Sequence, residues 1–291
     1  MKNTAKLQIK NLLKWIPDKA YLNLRYMLAF HKKLNLKNPQ TYNEKLQWMK
    51  LYDRNPLYNQ LVDKYDVRSF IKDRIGEEYL IPAYGVWDSF DEVDFDSLPE
   101  EFVLKCTHDS GSVYICRDKS KNDKEWLKNR FNEALKGNQY HGGREWAYKD
   151  VKPRIVAEKF MADDSGTGLK DYKFFCFNGE VKAMFIATER NVEGKDVKFD
   201  FFDENFNHLP FKHGHENAKE TPKKPEGFEE MKEIAKKLSQ GLRHVRVDLY
   251  NINGKIYFGE MTFYHHCGFV SFEPNEWDYK FGSWIDLTEE V

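Results

Sequence analysis

The sequence predicts an α+β fold with largely antiparallel sheets, preceded by a helical segment. Residues 2–75 carry a helical pattern of apolar positions, whereas the chain beyond Pro99 changes to short apolar strands. Asn178-Gly179 and Asn253-Gly254 each separate two strands, and both residue types tolerate the positive φ of a hairpin turn. Because hairpins join antiparallel neighbours, these signals disfavour a doubly wound nucleotide-binding sheet.

The N-terminal part is predicted to contain several helices separated by prolines. Pro17, Pro39 and Pro56 mark the breaks, because proline lacks the amide hydrogen that a helix interior needs. Thr41 and Glu44 form a capping-box pattern, so we expect a helix over residues 42–51. Residues 79–83 are predicted to form the first short strand.

The remainder is predicted to contain two helices and eight further strands. The helices cover residues 124–135 and 228–242, and the polar residues 213–227 between strands and helix are predicted to form a surface loop. The strands are expected at residues 102–106, 112–116, 154–160, 172–178, 180–190, 197–202, 245–252 and 255–261.

Composition indicates a folded protein without a membrane-spanning segment. The 291 residues suffice for two domains or one elaborate domain, and 41% hydrophobic residues argue against disorder. No apolar run approaches the roughly 18 to 20 residues of a membrane helix. The four cysteines form no C-x-x-C pair, so we expect a cytoplasmic protein without a zinc ribbon. A pI of about 6.8 gives no broad electrostatic footprint for nucleic acid.

The net charge of -1 hides a basic N-terminus. Residues 1–40 contain nine lysines and arginines but only one acidic residue, Asp18. Four lysines recur every four residues beside an apolar stretch, which permits two interpretations: a peripheral helix at the inner face of the cytoplasmic membrane, or a solvated face packed on the core. The second is favoured by the sequence. The lysines are Lys2, Lys6, Lys10 and Lys14.

Familiar nucleotide and hydrolase motifs are absent, so polar residues inside apolar strands become the candidates. Lys105 ends the strand 102–106, and the small-residue loop Ser110-Gly111-Ser112 follows it. Such a loop lets backbone amides approach phosphates, while the lysine supplies positive charge. A plain hairpin turn with an edge-strand lysine explains the same spacing and is favoured by the spacing alone.

Glu158 lies in another apolar strand, immediately before Lys159-Phe160-Met161. At a hinge between two lobes, this carboxylate and the following backbone could contact an adenine or a ribose. A solvent-facing Glu-Lys pair is the ordinary alternative, and the local pattern favours it.

The strongest pair of candidates is Asp248 and Glu260, on two strands of one hairpin. Carboxylates on adjacent strands suit Mg²⁺, which takes oxygen ligands. Two surface acids balanced by Arg246 and Lys255 explain the same pattern about equally well. A two-residue Asn253-Gly254 turn would pair Asp248 with Gly259 and direct Glu260 to the other face. We therefore predict a three-residue loop, 252–254, with Gly254 in a bulge, which places both carboxylates on one face.

His265-His266-Cys267 has the residue types of a soft-metal site. In an extended chain, however, adjacent side chains point in opposite directions, and no second ligand pair follows at zinc spacing. The sequence therefore argues against zinc here.

Taken in order, these segments resemble the TupA-like branch of the ATP-grasp superfamily, whose members are often described as surface-polysaccharide biosynthesis or glycosyltransferase proteins. The resemblance covers nearly the whole chain. Five stretches carry it: NPQTYNEKL at 38–46, VDKYDVR at 62–68, FVLKC at 102–106, IVAEK at 155–159 and GEMT at 259–262.

The resemblance implies an ATP-grasp fold, in which two α+β lobes enclose a nucleotide cleft. It implies a helical N-terminal segment at 1–60, a linker region preceding the ATP-grasp domain at 61–100, a small lobe with the phosphate loop at 101–160, and a C-terminal lobe with the Mg²⁺ site at 161–291.

The resemblance also implies roles for individual residues. Lys64 and Lys105 match nucleotide-contacting lysines, and Asp248 and Glu260 match two magnesium ligands. Thr262 stands where many relatives have asparagine, which puts the second metal position in doubt. Ser110-Gly111-Ser112 matches the loop that covers the phosphates, and Glu158 with Lys159, Phe160 and Met161 matches the adenine hinge. Asp171 lies near where such enzymes hold the ribose, and Arg246 matches a contact of the phosphate or the intermediate. Weaker candidates for contacting the acylphosphate or the acceptor are Arg190, Lys198 and His108.

The implied activity is ATP-dependent joining of a carboxylate to an amine through an acylphosphate. By family analogy, the carboxylate belongs to a uronic-acid-containing capsule or surface polysaccharide, and the amine to an amino acid or similar compound. Two alternatives remain open: a glycosyltransferase of polysaccharide synthesis, and an ATP-binding partner without catalytic activity.

Overall fold

The computed structural model describes residues 15–163, 169–189 and 196–288. Arg190 and the lysines at 2, 6, 10 and 14 therefore lie outside the described residues. Helices Asp18–Phe30, Tyr42–Tyr52, Leu57–Val62 and Val67–Arg74 precede the first strand. The second begins at the predicted capping box: Thr41 Oγ1 accepts from the Glu44 amide at 3.2 Å, and Glu44 Oε2 accepts from the Thr41 amide at 3.2 Å.

A four-stranded antiparallel sheet forms the smaller part of the molecule. Its strands are β1 (Ala83–Trp87), β2 (Phe102–Cys106), β3 (Val113–Cys116) and β4 (Ile155–Lys159), in the order β1-β4-β2-β3. Helix Lys124–Leu135 covers one face, where Leu127 and Phe131 join the buried cluster of the sheet.

The first strand is not where the sequence placed it. Residues Glu77–Tyr79 form a 3₁₀ turn, and β1 starts only at Ala83. Pro82 has no amide hydrogen to donate to a ladder, although its carbonyl accepts from the Lys159 amide at 2.9 Å. The prediction of a strand at 79–83 was therefore wrong.

The larger sheet is also antiparallel. Its strands are β5 (Asp171–Phe177), β6 (Glu180–Thr188), β7 (Lys198–Asp203), β8 (His208–Leu209), β10 (His244–Ile252) and β11 (Lys255–Thr262), in the order β11-β10-β5-β6-β7-β8. The connections 178–179 and 253–254 are the predicted hairpin turns, with positive φ at all four residues. Helix Phe228–Ser239 packs on this sheet through Met231, Ile234 and Leu238.

Several smaller elements escaped the sequence analysis, among them strand β8. Strands β9 (Lys212–His213) and β12 (Phe272–Glu273) pair in a short antiparallel ribbon, and helices Tyr140–Gly143 and Glu276–Ser283 complete the fold. His213 is thus buried at the start of the segment that was predicted to be a surface loop.

The N-terminal helices share a core with the larger sheet. Tyr42, Leu46 and Met49 of helix Tyr42–Tyr52 belong to the same buried cluster as Phe174 and Phe175 of β5. The predicted α+β architecture with antiparallel sheets is confirmed. Within the part of the chain that is described, no helix is long and apolar enough to cross a bilayer.

Candidate active site

The β10–β11 hairpin brings Asp248 and Glu260 together, but by another route than the one predicted. Ile252 pairs with Lys255, so the turn has two residues and the predicted three-residue loop is wrong. The extra residue lies further along β11: Leu249 pairs with Phe258 and Asp248 pairs with Glu260, which leaves Gly259 as a β-bulge. Both carboxylates therefore face the same side of the sheet.

Gly259 suits this bulge because the backbone approaches it closely. A Cβ at this position would lie 3.0 Å from the carbonyl oxygen of Asp248 and 3.1 Å from Cε2 of Tyr250. Glycine avoids both contacts and lets β11 bend at the point where Glu260 must turn towards Asp248.

Arg246 is the centre of the polar group on this face. Its Nε and Nη2 donate to the two oxygens of Asp248 at 2.6 and 2.7 Å. Nη2 also reaches Glu260 Oε1 at 3.1 Å and Thr262 Oγ1 at 3.0 Å. Burial alone would lower the pKa of Arg246, but the charges of Asp248 and Glu260 raise it above its ordinary value. Arg246 is therefore a permanent cation.

His265 completes the contacts of this guanidinium. Arg246 Nη1 donates to His265 Nδ1 at 2.6 Å, so the ring is neutral and carries its proton on Nε2. Burial, with the nearby His266 and Arg246, lowers the pKa of His265 well below its ordinary value. His265 therefore accepts a hydrogen bond from Arg246 without adding charge. The sequence analysis assigned it no such role.

Lys173 was also missed. Its ammonium on β5 donates to Asp248 Oδ2 and lies 3.4 Å from Oδ1 of Asp171. Burial would raise the pKa of Asp248, but the charges of Arg246 and Lys173 lower it below its ordinary value. The available signal was a charged pair inside β5, a strand in which every residue is buried.

The turn that carries His265 has an unusual backbone. His266, Cys267 and Gly268 have φ values of 50°, 55° and 61°, so three consecutive residues are left-handed. The chain is not extended here, contrary to the expectation for the His-His-Cys run. Helix Tyr42–Tyr52 holds the turn: Gln47 Nε2 donates to the Gly268 carbonyl at 2.7 Å and Lys50 Nζ to the Cys267 carbonyl at 2.7 Å. These bonds offset the steric cost of the non-glycine residues.

On the smaller sheet, Lys105 and Glu158 form an ion pair across β2 and β4. Lys105 Nζ lies 2.5 Å from Glu158 Oε2, and Arg68 Nη1 lies 3.7 Å from Oε1. Glu158 is buried, so it is not the solvent-facing acid of the ordinary alternative. Arg68 was not among the predicted site residues.

Lys64 links the two sheets electrostatically. Its amide donates to the Thr107 carbonyl at 3.1 Å and its ammonium to the Asp109 carbonyl, which fixes it beside the loop after β2. Burial lowers the pKa of Lys64, and the charge of Glu260 on β11 is the largest influence opposing that shift. The lysines of the smaller part and the carboxylate of the larger part therefore face a common region.

The predicted phosphate loop is a tight turn around Asp109. Ser112 Oγ donates to Asp109 Oδ2, and Gly111 adopts a φ of 106°, with nothing within 4 Å of where a Cβ would lie. Ser110 and Gly111 are exposed. His108 is buried, and its Nε2 lies 3.2 Å from the Ala134 carbonyl, so its ring faces helix Lys124–Leu135.

The predicted hinge follows Glu158 directly. Lys159 is exposed, and its amide already donates to Pro82; Phe160 and Met161 are half-buried, with the Arg117 guanidinium 4.9 Å from the Phe160 ring centroid. Asp171, the predicted ribose neighbour, lies beside Lys173, with 3.4 Å between its Oδ1 and Lys173 Nζ. Lys198 begins β7, which is three strands from β10 in the sheet.

The side chains around Arg246 offer oxygen atoms of the kind that hard cations take. Glu260 is 46% exposed, and the Thr262 hydroxyl lies 3.4 Å from Glu260 Oε1. Asp248 is the third donor, although Arg246 and Lys173 occupy its oxygens. Two carboxylates and a hydroxyl are the type of oxygen donor that Mg²⁺ takes, and the two cations Arg246 and Lys173 lie among these acids.

A comparison with protein families identifies the family of the chain. The family model described as TupA-like ATPgrasp matches residues 44–286. The chain belongs to the TupA-like ATP-grasp family, and its two-sheet architecture is the ATP-grasp fold. No curated protein matches the chain.

Several solved structures are similar in part. D-alanine–D-alanine ligase from Bacillus anthracis, complexed with ATP, is 17% identical; the match covers 70% of this chain and 55% of that one, with a TM-score of 0.41. The D-alanine–D-alanine ligase from Helicobacter pylori is 18% identical; the match covers 84% of this chain and 69% of that one, with a TM-score of 0.42. The L-amino acid ligase from Bacillus licheniformis is 14% identical; the match covers 84% of this chain and 52% of that one, with a TM-score of 0.42. This chain spans less than two thirds of the Bacillus anthracis enzyme.

Proposed function

We propose that this chain is an ATP-dependent ligase that joins a carboxylate to an amine through an acylphosphate. The observation that carries the proposal is the pairing of Asp248 with Glu260 at the Gly259 bulge, with Arg246 bonded to both carboxylates. Membership of an ATP-grasp family supports ATP as the nucleotide.

In the proposed reaction, a carboxylate oxygen of the substrate attacks the γ-phosphorus of ATP, and the bond to ADP breaks. The amine then attacks the acyl carbon of the acylphosphate, phosphate leaves, and the nitrogen loses a proton to solvent. The protein has little covalent chemistry to perform, because charge and alignment account for most of the catalysis of phosphoryl transfer.

The proposed roles follow from where the charges lie. Lys64 and Lys105 offset charge along the phosphate chain, and Arg246 with Lys173 stabilises the transferring phosphoryl group. Asp248, Glu260 and Thr262 would hold Mg²⁺, which when bound offsets further negative charge on the phosphates. Glu158 orients Lys105 through their ion pair. No nucleophilic side chain is required.

The substrate classes remain those of the family resemblance: a uronic acid unit of a surface polysaccharide as the carboxylate, and an amino acid or similar compound as the amine. Arg246 and Lys173 are the cations on this face that would contact the anionic groups of such a unit. We propose glucuronate and galacturonate, free and in oligomers, as the first carboxylates to test.

The test is release of ADP with ATP, Mg²⁺, each uronate and hydroxylamine, a small amine that converts an acylphosphate into a coloured hydroxamate. We expect ADP release that requires the carboxylate, with loss of more than about 100-fold in Lys105→Ala and Glu260→Gln, because both remove a charge used in the transition state. Lys121→Ala, at an exposed pair with Asp118, is the matched control. Turnover of a sugar nucleotide without ATP would overturn the proposal.

A further inference from the structure

Helix Asp18–Phe30 has an apolar face that points away from the protein. Its inner side buries Tyr21, Leu22 and Tyr26. On the other side Leu24, Met27 and Leu28 are 42%, 48% and 67% exposed, and their spacing of three and four residues places them on one face. Trp15, just before the helix, is 89% exposed. We call Trp15, Leu24, Met27 and Leu28 the outer apolar face.

This concentration is unusual for the described part of the molecule. Nine large apolar side chains are exposed there, and four of them belong to the outer apolar face, within fourteen residues of sequence. Single exposed apolar residues are normal on a protein surface, whereas a cluster marks a contact with something else.

Polar contacts fix the orientation of the helix. Asp18 pairs with Arg144 Nε at 3.2 Å and accepts a hydrogen bond from the Tyr140 hydroxyl. Arg25 Nη1 donates to the Gly142 carbonyl at 2.7 Å, and its guanidinium lies 4.5 Å from the Phe269 ring centroid. The outer apolar face therefore stays directed outward.

The sequence on both sides of this face is basic. Lys19, Lys32, Lys33 and Lys37 are exposed, while Asp18 is the single acidic residue among residues 1–40 and is already paired. Beyond residue 40 the chain has 37 lysines and arginines against 46 acidic residues, obtained by subtracting 9 and 1 from the totals of 46 and 47. The basic, apolar side thus belongs to an otherwise acidic protein.

We propose that the outer apolar face binds the protein to a membrane surface rich in anionic lipid. Leucine and methionine side chains would enter the boundary between headgroups and acyl chains, tryptophan suits that boundary, and the flanking lysines would contact lipid phosphates. A second copy of the chain is a poorer occupant, because a symmetric contact would bring the two sets of lysines together. The inference is independent of the proposed ligase activity.

The test is flotation of the full-length protein with vesicles of 30% phosphatidylglycerol in phosphatidylcholine, compared with pure phosphatidylcholine. We expect binding to the anionic vesicles that weakens in high salt and falls at least about tenfold in the double variant Leu24→Ser with Leu28→Ser. Ile115→Ser with Tyr84→Ser is the matched control, because these exposed residues lie on the smaller sheet, on β3 and β1. Thermal unfolding checks that each variant remains folded.

Three results would overturn the inference. The first is a wild-type protein that does not float with anionic vesicles. The second is a double variant that binds anionic vesicles as well as the wild type does. This includes the case in which deletion of residues 1–14 abolishes binding but the double variant does not. The third is sedimentation showing a wild-type dimer that the double variant converts to monomers, since a second copy would then occupy the face.

Discussion

A single guanidinium organises the candidate site at the scale of residues. Arg246 contacts Asp248, Glu260, Thr262 and His265, and its own burial makes each of these contacts costly to lose. The arrangement keeps one cation in a fixed position and orientation. Such pre-organisation is what stabilisation of a transferring phosphoryl group requires.

The contact between Arg246 and His265 yields a prediction. Replacing His265 by phenylalanine keeps an aromatic ring but leaves Arg246 Nη1 without this acceptor, so the guanidinium should lose its alignment. We expect about 10- to 100-fold weaker binding of the ATP analogue AMPPNP, on the scale of a hydrogen bond to a charged group. Binding of ADP, which lacks the γ-phosphate, should change little, as measured by calorimetry.

His265→Asn provides the control, because its amide oxygen can accept from Arg246. We expect it to recover part of the affinity for AMPPNP. Equal losses for AMPPNP and ADP in both variants would show that His265 has a general structural role and would contradict the prediction.

Candidate site residues could be recognised from the sequence where a charged residue interrupts an apolar strand. Lys105 and Glu158 stand out in this way, and the resemblance to ATP-grasp proteins supplied their roles. Lys173 shows the same signal in β5 but was absorbed into the strand prediction. Arg68 and His265 could not be found from sequence, because their partners Glu158 and Arg246 come from distant parts of the chain.

At the scale of secondary-structure elements, the β-bulge decides the geometry of the site. The turn chemistry of Asn253-Gly254 was read correctly as a hairpin, but the position of the extra residue was not. Turn residues have a sequence signature, whereas a bulge in mid-strand depends on the close approach of Gly259 to Asp248 and Tyr250. A glycine inside a strand was the available signal.

The bulge can be tested with Gly259→Ala. The added methyl group would lie 3.0 Å from the Asp248 carbonyl oxygen, so β11 must shift. We expect the free energy of unfolding in urea to fall by about 1 to 3 kcal/mol, as for overpacking of a close contact. Gly142→Ala is the control, because nothing lies within 4 Å of its added Cβ. Equal stability of the two variants would contradict the close approach.

A buried histidine at the start of β10 predicts how stability depends on pH. His244 Nδ1 donates to the Cys176 carbonyl at 2.8 Å and its Nε2 accepts from the Tyr42 hydroxyl at 2.9 Å. Burial lowers the pKa of His244 to about 4. Between pH 6.5 and 4 the unfolded chain therefore binds a proton that the folded protein does not, and stability is lost as the pH falls.

His244→Phe isolates this effect, because the other titrating groups are common to both proteins. We expect the free energy of unfolding of the wild type, relative to the variant, to decrease by about 2 to 3 kcal/mol from pH 7 to pH 4. Urea denaturation at several pH values measures it. A difference that stays constant over this range would show that His244 is not held neutral.

Regular elements were well predicted from periodicity, and the misses have physical reasons. Helix Phe228–Ser239 and strand β6 carry clear apolar patterns. Strands β9 and β12 are two residues each, too short for any period, and helix Glu276–Ser283 lacks a side-chain cap. Its burial depends on Phe281 packing against Tyr42, a contact across most of the chain.

At the scale of the whole molecule, charge connects the two sheets. The smaller sheet contributes Lys105 and Glu158, and the larger sheet contributes Lys173, Asp248 and Glu260. Lys64 precedes the smaller sheet in the chain, and the charge of Glu260 opposes the lowering of the Lys64 pKa by burial. A Mg²⁺–nucleotide complex between the sheets would satisfy both the lysines and the carboxylates, which is the central claim of the proposed function.

The most direct measurement is calorimetric binding of AMPPNP to the wild type, with and without Mg²⁺, and to Glu260→Gln and Lys105→Ala. We predict Mg²⁺-dependent binding to the wild type, loss of most of that dependence in Glu260→Gln, and at least about tenfold weaker binding in Lys105→Ala. Wild-type protein that binds no nucleotide, or binding that both substitutions leave unchanged, would contradict the assignment of the site.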